Sequence, residues 1–267
     1  MPVPCRSPGT SKASKASKAS KALSIMQEPT FKNRLAKHVL PLLPCNRRTL
    51  DILRYEANAV LLRLKNLFSP LYHLRKNAIR NRTGLLINFG SGGRGLDGWI
   101  NTDIGRHRDT YFQLDIRRRL PFSSGSVRGA LAEHVLEHIE FREDLPNFIG
   151  EVHRILQVSG VLRIVVPDGR RFLEAYIANN PGSWKALGWD VESLPVDIFT
   201  PMHIVNHIFH QGGEHLFAYD FDTLKLVLER SGFRQIVKQE FRVSIDPRLA
   251  IDQENHRAYS LYVDAVK

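Results

Sequence analysis

From Thr49 onward, apolar residues return at three- and four-residue steps: Leu50, Leu53, Ala57, Val60, Leu61, Leu64, Leu67 and Phe68. Arg54, Glu56, Arg63 and Lys65 fall between them, so the segment predicts an amphipathic helix. Thr49 suits the N-cap with Asp51 in the first turn, and Ser69-Pro70 stops the helix. A single apolar stripe needs a partner, most simply the main domain. After residue 84 the period changes. Strands are expected at Leu85–Phe89, 99–104, 111–116, 127–132 and 161–166. A helix should follow the fourth strand through Glu137, and another should span 145–156 with Phe148, Ile149, Val152, Ile155 and Leu156 inward. Residues 222–230 read as a helix capped by Asp222 and stopped at Gly232, and late strands are expected at 235–243 and Ser260–Val266. Alternation of this kind predicts an α/β fold, a parallel sheet with helices on both faces.

Composition matters here through its distribution. The 267 residues carry a formal charge of +11 and 43% hydrophobic positions, enough for one sizeable domain and an appendage. Residues 1–82 hold 17 Lys/Arg against Glu28, Asp51 and Glu56, whereas 83–267 hold 21 basic and 24 acidic residues. Ser11 to Ala22 repeats Ser-Lys-Ala, which has nothing large to bury. The expected organisation is a disordered basic arm over 1–46, a helical appendage over 47–83 and a main domain over 84–267. The arm reads as a solvated tail or as a peripheral contact for an anionic membrane, nucleic acid or acidic glycan. It lacks the interleaved aromatics that base stacking needs. Its Ser/Lys-rich start, free of acids until Glu28, is also a trait of transit peptides, and Met26 is an alternative start of translation. Cys5 and Cys45 both lie in this stretch, so the main domain has neither disulfide nor thiolate metal site, which suits a cytoplasmic setting. No run reaches the roughly 18 apolar residues of a membrane span, and no apolar signal segment follows the start.

The candidate chemistry begins where the first strand ends. Asn88-Phe89-Gly90-Ser91-Gly92-Gly93-Arg94-Gly95 holds G-x-G-x-x-G in a turn. A strand running into such a turn is how open α/β sheets make nucleotide pockets. Gly98-Trp99-Ile100-Asn101-Thr102-Asp103 follows, then Asp115 with Leu120-Pro121-Phe122, then Glu133 to His138 with Leu136-Glu137-His138, then 151–168. In this order the blocks resemble the class I S-adenosylmethionine-dependent methyltransferases, type 11-like, in the branch with a G-W-x-N-x-D segment. The resemblance covers 84–267. It implies a Rossmann-like, doubly wound, mostly parallel sheet with an antiparallel C-terminal strand, and S-adenosylmethionine as cofactor. It further implies that Asn88, Gly90, Ser91, Gly92 and Gly95 carry the methionine part of the cofactor and Asp103 the ribose. Asp115 would take the adenine edge, with Ile116, Leu120 and Phe122 beside the ring, and Glu133 is counted in the same set. Each acid also suits a plain helix cap or turn. A dinucleotide site wants its acid roughly 20 residues beyond the motif, whereas Asp103 comes 13 residues after Gly90. Gln157-Val158-Ser159-Gly160 replaces the family's usual Lys-Pro-Gly-Gly, and Arg128 a common acid.

The histidines need separate weighing. His134-Val135-Leu136-Glu137-His138 also fits H-x-x-E-H, a zinc-protease pattern, but it falls where the resembled family carries Leu-Glu-His. His203, His207 and His210 share a helical face, and His215 follows in the insertion that builds acceptor pockets in this fold. Such a cluster suits a metal or base site as well as plain surface or pocket histidines, and the reading taken is that no metal is expected. His134 is the first candidate for a general base, followed by His215 and His207, because a hydroxyl acceptor needs a base near neutral pKa. The expected reaction is O-methylation of a sugar, glycan or small-molecule hydroxyl; the mildly acidic domain is not expected to bind nucleic acid. The alternatives are an inactive protein of the same fold acting through its basic arm, and an NAD(P)-dependent oxidoreductase.

Overall fold

The computed structural model of the protein describes residues 46–195 and 198–267. The expectations for the arm, for Cys5 and Cys45 and for Met26 lie outside the described residues. By internal contacts the chain divides between Arg54 and Tyr55, and every long-range contact below lies within Tyr55–Lys267.

Helix α1 (Arg47–Phe68) starts two residues earlier than expected, because Asn46 Oδ1 accepts from the Thr49 backbone N–H at 2.9 Å. Asn46 therefore caps it, and Thr49 sits in the first turn. The stripe expected to dock is largely in solvent: Leu61, Leu64, Leu67 and Phe68 are all exposed. What faces the domain is Ala59 and Leu62, both buried, flanked by the polar Glu56, Arg63 and Asn66. Backbone acceptors and buried ions decide this orientation, which hydrophobic periodicity alone does not register. After Ser69, whose hydroxyl accepts from Tyr72 N–H, α2 (Pro70–Ile79) runs on to the first strand.

Seven strands form one sheet: β1 (Leu85–Phe89), β2 (Ile100–Asp103), β3 (Phe112–Gln113), β4 (Val127–Glu133), β5 (Leu156–Pro167), β6 (Gln235–Gln239) and β7 (Ser260–Val266). Their order is β3-β2-β1-β4-β5-β7-β6. β7 is antiparallel to both β5 and β6, and all other pairings are parallel. This is the Rossmann-like doubly wound sheet with an antiparallel C-terminal strand that the sequence led one to expect.

β2 loses one residue at each end against expectation, and three further elements are shorter for a local reason. β3 stops at Gln113 because Asp115 folds back on its own chain, accepting from Arg117 N–H. β6 stops at Gln239, since residues 240–243 turn away to offer carbonyls to Arg163. β4 is followed by a single 3-10 turn (Leu136–His138) rather than a helix through Glu137, because His134 takes a left-handed φ of +55°. The helices α3 (Asp144–Ile155), α4 (Gly169–Ala178), α5 (Pro181–Lys185), α6 (Pro201–His210) and α7 (Phe221–Arg230) complete the chain. The cap of α7 is Asp220, which accepts from Thr223 N–H at 2.9 Å, not Asp222.

Alternation along the central strands divides the core. Ala130, Ala132, Leu162, Ile164 and Val166 face the large cluster under α3 and α7. Leu131 and Val165 face the other side, against Tyr262, Leu96, Trp99 and Ile251. The insertion builds its own small core on Phe172, Trp184, Ile204 and Val205.

Candidate active site

The carboxyl ends of β1, β2 and β4 bring together most of the residues singled out from the sequence. Gly90 and Gly92 have φ of +60° and +51°, which residues with a Cβ rarely adopt. Gly90 is further constrained by packing, since a Cβ there would lie 2.4 Å from Val135 Cγ2. Gly95 is likewise hemmed in by Asp109, whereas a Cβ on Gly92 or Gly93 would meet nothing within 4 Å. The open side of the turn is thus at its middle. There Ser91 Oγ is buried without a hydrogen-bond partner.

Asp103, at the end of β2, grips this turn. Its Oδ2 accepts from Gly92 N–H at 2.8 Å and its Oδ1 from Gly105 N–H at 2.7 Å. Each oxygen keeps a lone pair, so the carboxylate can still receive hydroxyls. Asn88 does not face that space with a free amide: its Nδ2 donates to Arg94 O and to Asn101 Oδ1. Asn101 in turn accepts from Leu96 N–H and donates to Leu96 O. The asparagine of the G-W-x-N-x-D segment thus holds the exit of the glycine turn.

Asp115 is separately engaged. Arg117 donates to both its oxygens, Nε at 2.9 Å and Nη2 at 3.1 Å, and the same guanidinium bonds Glu56 of α1. Burial alone would lower the Arg117 pKa, but its hydrogen bonds to Asp115 and Glu56 outweigh that and hold it above the ordinary value. The Asp115 carboxylate is buried, and this guanidinium spans both of its oxygens. Ile116 is half-buried, and Leu120 and Phe122 lie in the main core, with Phe122 edge-on to Phe112.

Glu133 closes the other side. It accepts from Gln253 N–H at 2.8 Å, Arg94 Nη1 at 2.6 Å and His256 Nδ1 at 3.2 Å. Burial alone would raise its pKa, but these donors outweigh burial and hold it below the usual carboxylate range. Arg94 also donates to Ile251 O. The wall is therefore made by the β6–β7 connection, which sequence reading did not assign to the site; the bend of Arg242 into positive φ is the one local sign of it.

His134 stands next in line. Its ring lies against that of His256, centroids 3.8 Å apart and planes tilted by 36°; Nε2 is 3.0 Å from Ser260 Oγ, and Nδ1 is 3.0 Å from Glu137 Oε1. Both ring nitrogens are thereby oriented. His207 is elsewhere, exposed on α6 against Trp189, and His203 accepts from Phe199 N–H. His215 parts from these helical histidines and packs edge-on against His138, ring centroids 5.0 Å apart. Burial pushes its pKa down. Beyond Ser260, a cleft of about 480 Å³ is lined by Arg171, Lys238, Arg257, Phe241 and Tyr262, among others.

A family model described as a methyltransferase domain matches residues 101–164, from β2 into β5. No curated protein matches the sequence. The chain is similar in structure to a SAM-dependent methyltransferase from Archaeoglobus fulgidus, at 15% identity, covering 73% of this chain and 94% of that one with a TM-score of 0.40. It is similar to a Burkholderia thailandensis 1,6-didemethyltoxoflavin-N1-methyltransferase at 12% identity, 84% and 91% coverage and a TM-score of 0.42. A third likeness is a methyltransferase from Mesorhizobium loti, at 18% identity, 76% and 100% coverage and a TM-score of 0.40. At these levels the structural likenesses carry no inference about the chemistry of this chain. No helix among the described residues is long and apolar enough to cross a membrane.

Proposed function

We propose that this chain is a class I S-adenosylmethionine-dependent methyltransferase and that it methylates a hydroxyl of a sugar, glycan or other small molecule. The residues fit the cofactor at the middle of the glycine turn, where open space, the unpartnered Ser91 hydroxyl and the remaining lone pairs of Asp103 converge. When bound, the sulfonium supplies an electrophilic methyl group. The observation that carries the hydroxyl reading is His134, an oriented imidazole at the carboxyl end of β4 beside that turn. It would hold the acceptor hydroxyl and take its proton, while the surrounding walls exclude water. The adjoining cleft, with three cationic and two aromatic side chains, suits a polar, ring-bearing acceptor.

Calorimetric titration of S-adenosylmethionine into the full-length protein should give one site. Asp103→Ala should weaken it about 10–100-fold, the loss of a charge-assisted hydrogen-bond pair. His134→Ala should leave that affinity in place and lower S-adenosylhomocysteine release with a sugar acceptor by about 10²–10⁴-fold. Unchanged turnover in His134→Ala would remove histidine from the chemistry. Absence of cofactor binding would favour the second reading, a protein of this fold without turnover. The internal pairing of Asp103, Asp115 and Glu133 is the observation on its side.

A further inference from the structure

The turn after β4 buries a carboxylate whose nearest partner is an imidazole. Glu137 is 1% exposed, and neither carboxylate oxygen has a hydrogen-bond partner. His134 Nδ1 stands 3.0 Å from Oε1, an ion pair only when the imidazole is protonated. Among the described residues no lysine or arginine pairs with it in a salt bridge. A buried carboxylate with no permanent cation beside it is costly, and a bound cation would relieve that cost.

Two imidazoles face the same point. His138 Nδ1 is 3.0 Å from Glu214 O, and His215 Nδ1 is 2.6 Å from Ile208 O. A carbonyl can only accept, so in both rings Nδ1 carries the hydrogen and Nε2 keeps its lone pair. Fixing one ring nitrogen on a carbonyl is how proteins orient histidines as metal ligands. One ligand atom from each of Glu137, His138 and His215 lies within 4.8 Å of the other two. A four-coordinate zinc with bonds of about 2.0–2.1 Å draws its ligands to about 3.4 Å apart, a distance small side-chain rotations would reach.

The two halves of the cluster are also tied together. Leu216 N–H donates to Glu137 O at 2.7 Å, so residue 215 is held against residue 137 by the backbone. Tyr219 Oη donates to Leu136 O from the same strand of chain. His203, His207 and His210, the helical histidines, do not take part.

We infer that Glu137, His138 and His215 form a site for a divalent transition-metal ion of the zinc type. Two imidazoles and one carboxylate are a donor set that favours such an ion over magnesium or calcium, and they leave a coordination position open. Glu137 also stands against His134, where the proposed methyl transfer needs an acceptor hydroxyl polarised. That last link rests on the proposed function; the site itself does not.

The test is ion binding to the full-length chain after chelator treatment, with neither cofactor nor acceptor present. Zn²⁺ titrated by calorimetry should bind one ion per chain, and Co²⁺ in its place should give the visible absorption of a four- or five-coordinate site. Glu137→Gln and His215→Ala should each weaken Zn²⁺ by at least about tenfold, and His207→Ala should not. His138→Ala removes an exposed side chain, so it keeps the test decisive should a buried variant misfold. No stoichiometric binding by the wild-type chain, or binding unaltered in both Glu137→Gln and His138→Ala, overturns the site. Because the readout is the ion alone, either result leaves the methyl-transfer reading to its own experiment.

Discussion

Each glycine of the turn after β1 answers a different demand. Gly90 must combine a left-handed φ with Val135 packed where a side chain would begin. Gly93 has neither constraint. Gly90→Ala should therefore destabilise the protein by about 1–3 kcal/mol through strain and overpacking. Gly93→Ala should stay within about 0.5 kcal/mol of wild type. Urea unfolding of the two variants side by side checks this, and equal losses would mean that backbone freedom, not Val135, sets the cost. His134 also carries a left-handed φ, at the point where β4 must stop and its side chain must meet both Glu137 and Ser260. Non-glycine residues in this region are uncommon and gather at functional sites, and histidine is among the more tolerant of them.

For the elements, the informative case is α1. Its apolar residues recur at helical spacing, which located the helix, but that same spacing pointed to the wrong face. The docked face carries Glu56, Ala59 and Asn66, and its anchors are Arg117 and the Gln113 carbonyl. Ala59→Leu should cost about 1–3 kcal/mol by overpacking a fully buried position. Leu61→Ser, at a side chain in solvent, should change stability by less than about 0.5 kcal/mol. Thermal unfolding orders the two, and a reversed order would restore the apolar stripe as the docked face. The strands were legible for the opposite reason. β1, β4 and β5 are buried on both faces, so they appear as apolar runs ended by glycine or an acid. Strand ends were less legible: Asp115 and Arg242 end pairing through side-chain and backbone bonds that periodicity does not register.

Across the whole molecule, the site depends on residues far apart in sequence. Arg163, wholly buried in β5, has its five N–H groups met by Asp252 Oδ1 and Oδ2, Asp264 Oδ1, Val243 O and Glu240 O. Asp252 and Asp264 also accept from Arg242 N–H and Ile245 N–H. Arg163→Met would leave two buried carboxylates short of a partner and should cost about 3–5 kcal/mol, read as a lower urea midpoint. Full stability in that variant would mean the ions are not buried in solution. The glycine turn, Asp103 and Glu133 were visible in the sequence because they follow strand ends in a fixed order. Asn101 as a clamp, the Glu133–His256 pair and the Arg163 cluster were not, since each joins residues whose meeting only the tertiary fold decides. The position of β7 gives the sheet a particular order of assembly. This strand lies between β5 and β6, yet it is made after both. A growing chain on the ribosome must therefore keep one edge of β5 unpaired until residues 260–266 emerge. Only then can Ser260 come beside His134, so the emergence of β7 sets the moment at which this site first exists.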